Sequence, residues 1–398
     1  GSGYDRADYR GALEGVTVNL AAGTANSASS GTDTLRSIEN IRGSLFADNI
    51  DARNFTGGAA SSSSNVGSFW WGWNEISPEG GDDTIQGNGV TALLFEGSMV
   101  PVRVDLAAGT ADARLEADKT LPQYLTMGRD TFTGVYGARG SVYDDELLGG
   151  GAGRANTGVT RAEVFHGGAG NDTIDGLAGW DSATYWFSPA AITVDLAAGT
   201  VQDGWGFVDT LRNIEEVIGT YFNDSMVGSS RDESFSGTKG ADSIDGAGGY
   251  DEVGFADTWQ AGGVTVKLAG WVGTTGALPA GYTGSALDQF GDTDVFRAVE
   301  GVEGSTYGDQ ITGDAGNNRI DGRGGPDTLD GGAGIDWAEY NQATRGVVVD
   351  LAQGKALDDG QGQGNAAPDA AIEQDVLIGF ENVNGGTGAD SLTGDAGA

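Results

Sequence analysis

The chain has 398 residues, 58 of them acidic against 21 basic, for a formal net charge of −37, and a field of that sign repels nucleic acid and anionic membranes alike. Disorder does not account for the charge, because 38% of residues are apolar and 9 Trp, 11 Tyr and 14 Phe are present. With 72 Gly but 7 Pro the chain is not collagen-like, and with no Cys stability has to come from something other than disulfides, for which carboxylate-bound metal is the natural candidate.

No run is apolar enough to span a membrane and no basic-then-apolar leader is present. Gly1-Ser2-Gly3 reads as a cloning scar and the last residues fall inside a repeat, so the chain is expected to be a piece of a longer protein.

Along the chain one composite pattern recurs. It opens with V-x-V-x-L, ending at Leu20, Leu106, Leu196, Leu268 and Leu351. An Asp-x-apolar step follows at Asp33, Asp130, Asp209, Asp294 and Asp375, and a second Asp follows each at Asp48, Asp145, Asp224, Asp309 and Asp390. Fifteen residues separate each such pair, one nonamer plus one hexamer, whereas the distance from the leucine to the first Asp varies. The segment between them is therefore read as a free loop on a fixed scaffold. An insertion at about 52–77 carries Ser61 to Ser64 and Phe69, Trp70, Trp71 and Trp73.

The rest is nonamers. Residues 167–175 read GGAGNDTID, residues 219–254 hold four more and residues 304–339 another four. Each starts with Gly, usually has an acid sixth and an apolar residue eighth, as at Ile174, Met226, Ile244, Ile311, Ile320 and Leu329. Six Gly-rich residues make a turn and three make a short strand whose middle side chain faces inward. Two nonamers then close one coil, and coils stack about 4.8 Å apart.

Stacking brings sixth-position acids two nonamers apart together, where they repel unless a cation lies between them. Calcium takes six to eight oxygens from carboxylates and carbonyls, which Gly-rich turns with one Asp supply. Magnesium fits less well, and a chain with one His and no Cys is a poor host for zinc or copper.

The candidate ligands pair as Asp224 with Asp242, Glu233 with Asp251, Asp309 with Asp327 and Asn318 with Asp336, joined by Asp48, Asp83 and Asp390. Over residues 140–184, Asp145, Glu163 and Asp181 are expected along one edge and Asp172 on the other, facing an Arg154 that spoils its site. Candidate turn glycines are Gly167, Gly168, Gly170, Gly237, Gly240, Gly322, Gly324, Gly331, Gly332 and Gly334. The hexamers SIENIR, GVYGAR, NIEEVI, AVEGVE and GFENVN are expected to make tight metal-free crossings, with Ile38, Ile41, Ile214, Val217, Val299 and Val302 in the core.

These nonamers resemble the repeats-in-toxin (RTX) family of calcium-binding repeats, over nearly the whole chain. The resemblance implies an all-β, elongated parallel β-roll (a β-solenoid) with calcium-binding turns, holding several Ca2+ ions. It also implies export by type I secretion, folding outside the cell on meeting calcium, and a secreted or cell-surface location. The hexamers, the variable segments and weak nonamers such as GGGAGRANT and GNGVTALLF depart from the family pattern and leave the ion count open.

The pattern divides the chain into repeat units at 4–95, 96–185, 186–254, 255–340 and a truncated 341–398, stacked as one solenoid. The Trp70, Trp71 and Trp73 cluster is a candidate ligand platform for sugar, weighed against a plug over an open sheet end, which edge protection favours. Trp180, Trp186, Trp205, Trp259, Trp271 and Trp337 are read as packing residues and His166 as a surface residue. No metalloprotease, nucleophile-elbow or phosphate-loop motif occurs, and carboxylate pairs that recur with the repeat do not suit a singular active site. The reading is a non-enzymatic calcium module serving as scaffold, adhesin segment or surface-layer component. The alternative is a polysaccharide-binding accessory module of a secreted carbohydrate-active enzyme. Expected partners are calcium and either extracellular polysaccharide or a second copy, without nucleic acid or membrane insertion.

Overall fold

A computed structural model of the chain describes residues 5–29, 31–56, 74–115, 117–120, 127–150, 163–256, 262–273, 276–343, 345–358 and 374–395. Trp70, Trp71, Trp73, Arg154 and Trp259 lie outside these. Among the described residues every regular element is a strand except one 3-10 turn, Asp118–Thr120, and no helix is long and apolar enough to cross a membrane. The chain is all-β, a parallel β-roll, in two compact bodies: Gly1–Ser188 with Gly199–Ile214, and Pro189–Ala198 with Glu215–Ala398.

The second body shows the plan most plainly. One column of parallel strands runs Glu216–Ile218, Glu233–Ser236, Asp251–Gly254, Gly301–Glu303, Arg319–Asp321, Trp337–Glu339 and Asn382–Asn384. Each hexamer strand in it is followed by two nonamer strands before the next hexamer. A facing column holds Ser225–Val227 beside Ser243–Asp245, and Gln310–Thr312 beside Thr328–Asp330. Inward middle residues fill the space between the columns, and Met226, Phe235, Val302, Ile320 and Leu329 are wholly buried.

The first body repeats both columns, with one departure from the expected phase. Glu146–Leu148 pairs with Thr173–Asp175, and residues 137–139 pair with Val164–His166. The coil here takes one nonamer more than elsewhere, so Asp145 lies against Asp172, 27 residues on, and not on the edge of Glu163 and Asp181.

The segment after V-x-V-x-L is a built element and not the free loop expected. In the first body Val102–Asp105 turns back into Thr110–Ala113, which pairs antiparallel with it and with Arg129–Arg139. Thr24–Ser27, Gly284–Leu287 and Lys355–Asp358 sit likewise between two strands. The recurring L-A-A-G-T makes the turn. Asn19, Asp105 and Asp195 side chains accept the N–H three residues on, at 2.7 to 2.8 Å, and Gly109 takes φ 65 where a Cβ would stand 2.4 Å from the Phe132 carbonyl.

The hexamers do turn tight corners. Each begins with a left-handed residue, at Ser37, Gly134, Asn213, Ala298 and Gly379, and Ile41, Ile214, Val217, Val299 and Val302 are buried as expected, while Ile38 is only half-buried.

Two expectations are corrected. His166 is buried, its ring 5.5 Å from that of Phe187 and 6.1 Å from that of Trp205, because these side chains cover its strand from outside. Trp180 is 42% exposed: it occupies a turn tip and packs no core.

Candidate metal centre

Sixth-position residues form ladders along the edges of the roll. In the second body Asp224 Oδ1 accepts from the Ile192 N–H at 2.8 Å, Asp242 Oδ1 from the Asp224 N–H at 2.7 Å, and Asp294 Oδ1 from the Asp242 N–H at 2.9 Å. Val264, Asp309, Asp327 and Asp375 repeat the series, and Asp390 accepts from Val347. In the first body the ladders run Val16, Asp48, Asp83, Asp130 and Val102, Asp145, Asp172, Asp209.

The other edge carries Glu163 with Asp181, Glu233 with Asp251 and Glu300, and Asn318 with Asp336 and Glu381. The structure thus stacks all four pairs drawn from the 18-residue spacing.

Sequence reasoning had not placed the end rungs Asp130, Asp209, Asp294, Asp375, Glu300 and Glu381 in the site. Their signal was present: the fixed fifteen-residue step, and a Glu at the third hexamer position.

The rungs are of two kinds. At Asp48, Asp145, Asp224 and Asp309 the second turn residue is Ser44, Ser141, Thr220 or Ser305. Its N–H and its hydroxyl both donate to the carboxylate, for example at 2.7 and 2.9 Å from Thr220 to Asp224. Ser229 closes Glu233 in the same way, and Asn318 is a neutral amide held by Asp314 and Glu300. Gly150 donates to Glu163 at 2.7 Å. Three donors to one carboxylate leave it little need of a cation.

In seven of the Gly-rich turns the backbone is inverted, with residues two and four left-handed: Glu79 and Gly81, Gly168 and Gly170, Leu177 and Gly179, Thr238 and Gly240, Ala247 and Gly249, Arg323 and Gly325, Gly332 and Gly334. The turns at 313–318 and 385–390 are not inverted. Of the candidate glycines, Gly324 falls one residue short of the left-handed position, which Gly325 takes.

The inversion turns the second N–H away from the carboxylate. At Leu177, Ala247, Arg323 and Gly332 it is taken instead by the ninth residue of the preceding nonamer, Asp175, Asp245, Asp321 and Asp330, at 2.7 to 3.2 Å. Non-glycine residues hold this conformation at about 1–3 kcal/mol each, and such strain collects at functional sites.

The consequence falls on the carboxylates. Oδ2 of Asp83, Asp172, Asp242, Asp251 and Asp336 is buried with no hydrogen-bond partner, and each of these residues is at most 1% exposed. The first glycine of the turn makes room for that oxygen: a Cβ on Gly167 would stand 2.3 Å from Asp172 Oδ2, and one on Gly237 2.1 Å from Asp242 Oδ2. Gly322 and Gly331 hold the same place beside Asp327 and Asp336.

Burial lifts the affinity of Asp83, Asp145, Asp172, Asp224, Asp242 and Asp309 for protons, and neighbouring charges add to it at Asp83, Asp172 and Asp242. Asp224 and Asp309 rise to about 6 and Asp145 to about 7, chiefly by desolvation. Asp172 rises to about 9, by desolvation and then the charge of Asp209. Asp83 and Asp242 rise by the same two causes, through Asp130 and Asp294.

An unpartnered buried carboxylate costs several kcal/mol, so the open rungs fit a hard cation. Among the described residues no three His, Cys, Asp or Glu side chains gather into a ready cage. Carbonyls of the inverted turns and water would have to complete the six to eight oxygens calcium takes.

Parallel coils of nonamers with buried acids in their Gly-rich turns define a metal-binding repeat roll. The RTX calcium-binding nonapeptide repeat family matches the chain in four copies, at residues 157–183, 218–253, 303–338 and 377–398. These repeats bind calcium, and the chain carries a calcium-binding β-roll module. No curated protein matches the chain.

Proposed function

We propose that the chain is a secreted module that assembles on calcium outside the cell and serves as a structural scaffold, an adhesin segment or part of a surface layer. One observation carries the reading: in the nonamer rungs the open oxygens of Asp83, Asp172, Asp242, Asp251 and Asp336 lie in turns whose backbone is inverted. In low calcium these buried acids oppose folding. In millimolar calcium, sites with dissociation constants of roughly 10⁻⁴–10⁻³ M fill and draw the chain into the roll by mass action. An export route that needs an unfolded chain would use that difference. Trp70, Trp71 and Trp73, on which the polysaccharide reading rests, lie outside the described residues.

Far-ultraviolet circular dichroism tests it. The chain in chelator should lack the β spectrum, and millimolar calcium, but not magnesium, should restore it. A full β spectrum in chelator would refute assembly on calcium.

A further inference from the structure

Two loops outside the nonamers share a pattern that the repeat does not explain. Residues 203–209 read DGWGFVD and residues 288–294 read DQFGDTD, both Asp-x-aromatic-Gly-x-x-Asp. Each leads from a returning hairpin strand, Thr200–Gln202 or Gly284–Leu287, into the strand that bears an end rung of a ladder. Gly206 and Gly291 turn them with φ of 97 and 87.

Asp203 Oδ1 accepts from the N–H groups of Trp205 and Phe207 at 3.1 and 2.6 Å, and Asp288 Oδ1 from those of Phe290 and Asp292 at 2.9 and 2.7 Å. One oxygen is thereby fixed to the loop's own backbone. The other, Oδ2, has no partner, although the residues are only 3% and 4% exposed.

The surroundings are acidic. Asp209, at the end of the first loop, accepts from the N–H of Asp172, and Asp294 accepts from that of Asp242. Asp172 and Asp242 themselves have an unpartnered Oδ2. Val208 donates to Asn171 at 3.1 Å, which ties the first loop to the turn that holds Asp172. The charge of Asp288 is felt at both Asp242 and Asp294, and that of Asp203 at Asp209. Lys239 does not answer it by ion pairing, since its ammonium lies over the Phe290 ring at 5.6 Å.

We propose that each loop adds a ligand from outside the repeat to a calcium site at a repeat rung, Asp203 joining Asp172 and Asp209, and Asp288 joining Asp242 and Asp294, about one ion. The proposal rests on the calcium reading of the turns and extends it to residues with no place in the nonamer. All the side-chain donors are oxygens, which favours calcium over zinc, and the irregular shell favours calcium over magnesium. No three of the acids already form a cage, so main-chain carbonyls and water supply the remaining ligands.

The test is the calcium bound per full chain, measured by equilibrium dialysis and elemental analysis on the parent, Asp203→Asn, Asp288→Asn and Asp251→Asn. Asp203→Asn and Asp288→Asn should each carry one ion fewer, and the double variant two fewer. Asp251→Asn reports a nonamer site away from both loops. A loss at Asp251→Asn with none at Asp203→Asn and Asp288→Asn overturns the loop sites and leaves the repeat reading standing. A parent that binds no calcium overturns both. Should Asp203→Asn fail to fold, Trp205→Phe keeps every carboxylate. It should remove part of the tryptophan-sensitised emission of terbium bound in place of calcium, and unchanged emission overturns the first loop site.

Discussion

Residues 219–224 and 237–242 are consecutive rungs of one ladder, both beginning Gly-Thr and both ending in a buried Asp, and they do opposite things with the carboxylate. In the first, Thr220 gives its N–H and hydroxyl to Asp224. In the second, Thr238 is left-handed at φ 71, its hydroxyl donates to the Thr220 carbonyl, and Asp242 is left with an open oxygen. The same dipeptide thus closes one turn and opens the other. Backbone inversion, and not the presence of an acid, separates a self-satisfied rung from one that calls for a cation.

The comparison can be broken most forcibly at Gly237. Its Cβ would stand 2.1 Å from Asp242 Oδ2 and 2.8 Å from Asp242 Cγ, so Gly237→Ala should cost about 3 kcal/mol, read as the thermal midpoint in saturating calcium.

Next come Asp242→Asn and Asp224→Asn, measured as midpoint against calcium concentration. Asp242→Asn should flatten the dependence, losing about 2–3 kcal/mol at calcium a hundredfold above the site constant. Asp224→Asn should lower the midpoint at every calcium concentration, with the dependence unchanged, since it loses protein hydrogen bonds and no ion. Equal flattening by both would erase the distinction between the two rungs.

A smaller effect is expected at an end rung. Tyr185 donates to Asp209 Oδ2 at 3.0 Å, and Tyr185→Phe should cost about 1.5–3 kcal/mol. Smallest, Ala247→Gly relieves a left-handed alanine at φ 68 and should raise stability by about 0.5 kcal/mol after the entropy of the added glycine.

Much of this was legible in the residues because the coil has a fixed period. The 18-residue step alone placed Asp224 on Asp242 and Asn318 on Asp336, and the eighth positions gave the core. What a period cannot show is a conformation that unlike side chains share. Leu177, Thr238, Ala247 and Arg323 have nothing in common as residue types, yet all are left-handed. What they share is positional, the second place before a glycine at the fourth, and even that does not suffice, since Asp314 precedes Gly316 in the same way and is not left-handed.

The hairpin strands were missed for a different reason. Leu-Ala-Ala-Gly-Thr recurs, but the variable length after it drew attention away from its constant beginning. The coil at 140–184 was misphased because an extra nonamer is invisible to a count that assumes every nonamer adds a rung.

The most direct test of the two-rung account is a crystal structure of the calcium-loaded chain with ions located by anomalous scattering. The account predicts calcium at Asp172, Asp242, Asp251 and Asp336 and none held by the Ser and Thr turns of Asp48, Asp224 and Asp309. Ions seated in those Ser and Thr turns, with the inverted turns empty, would contradict it.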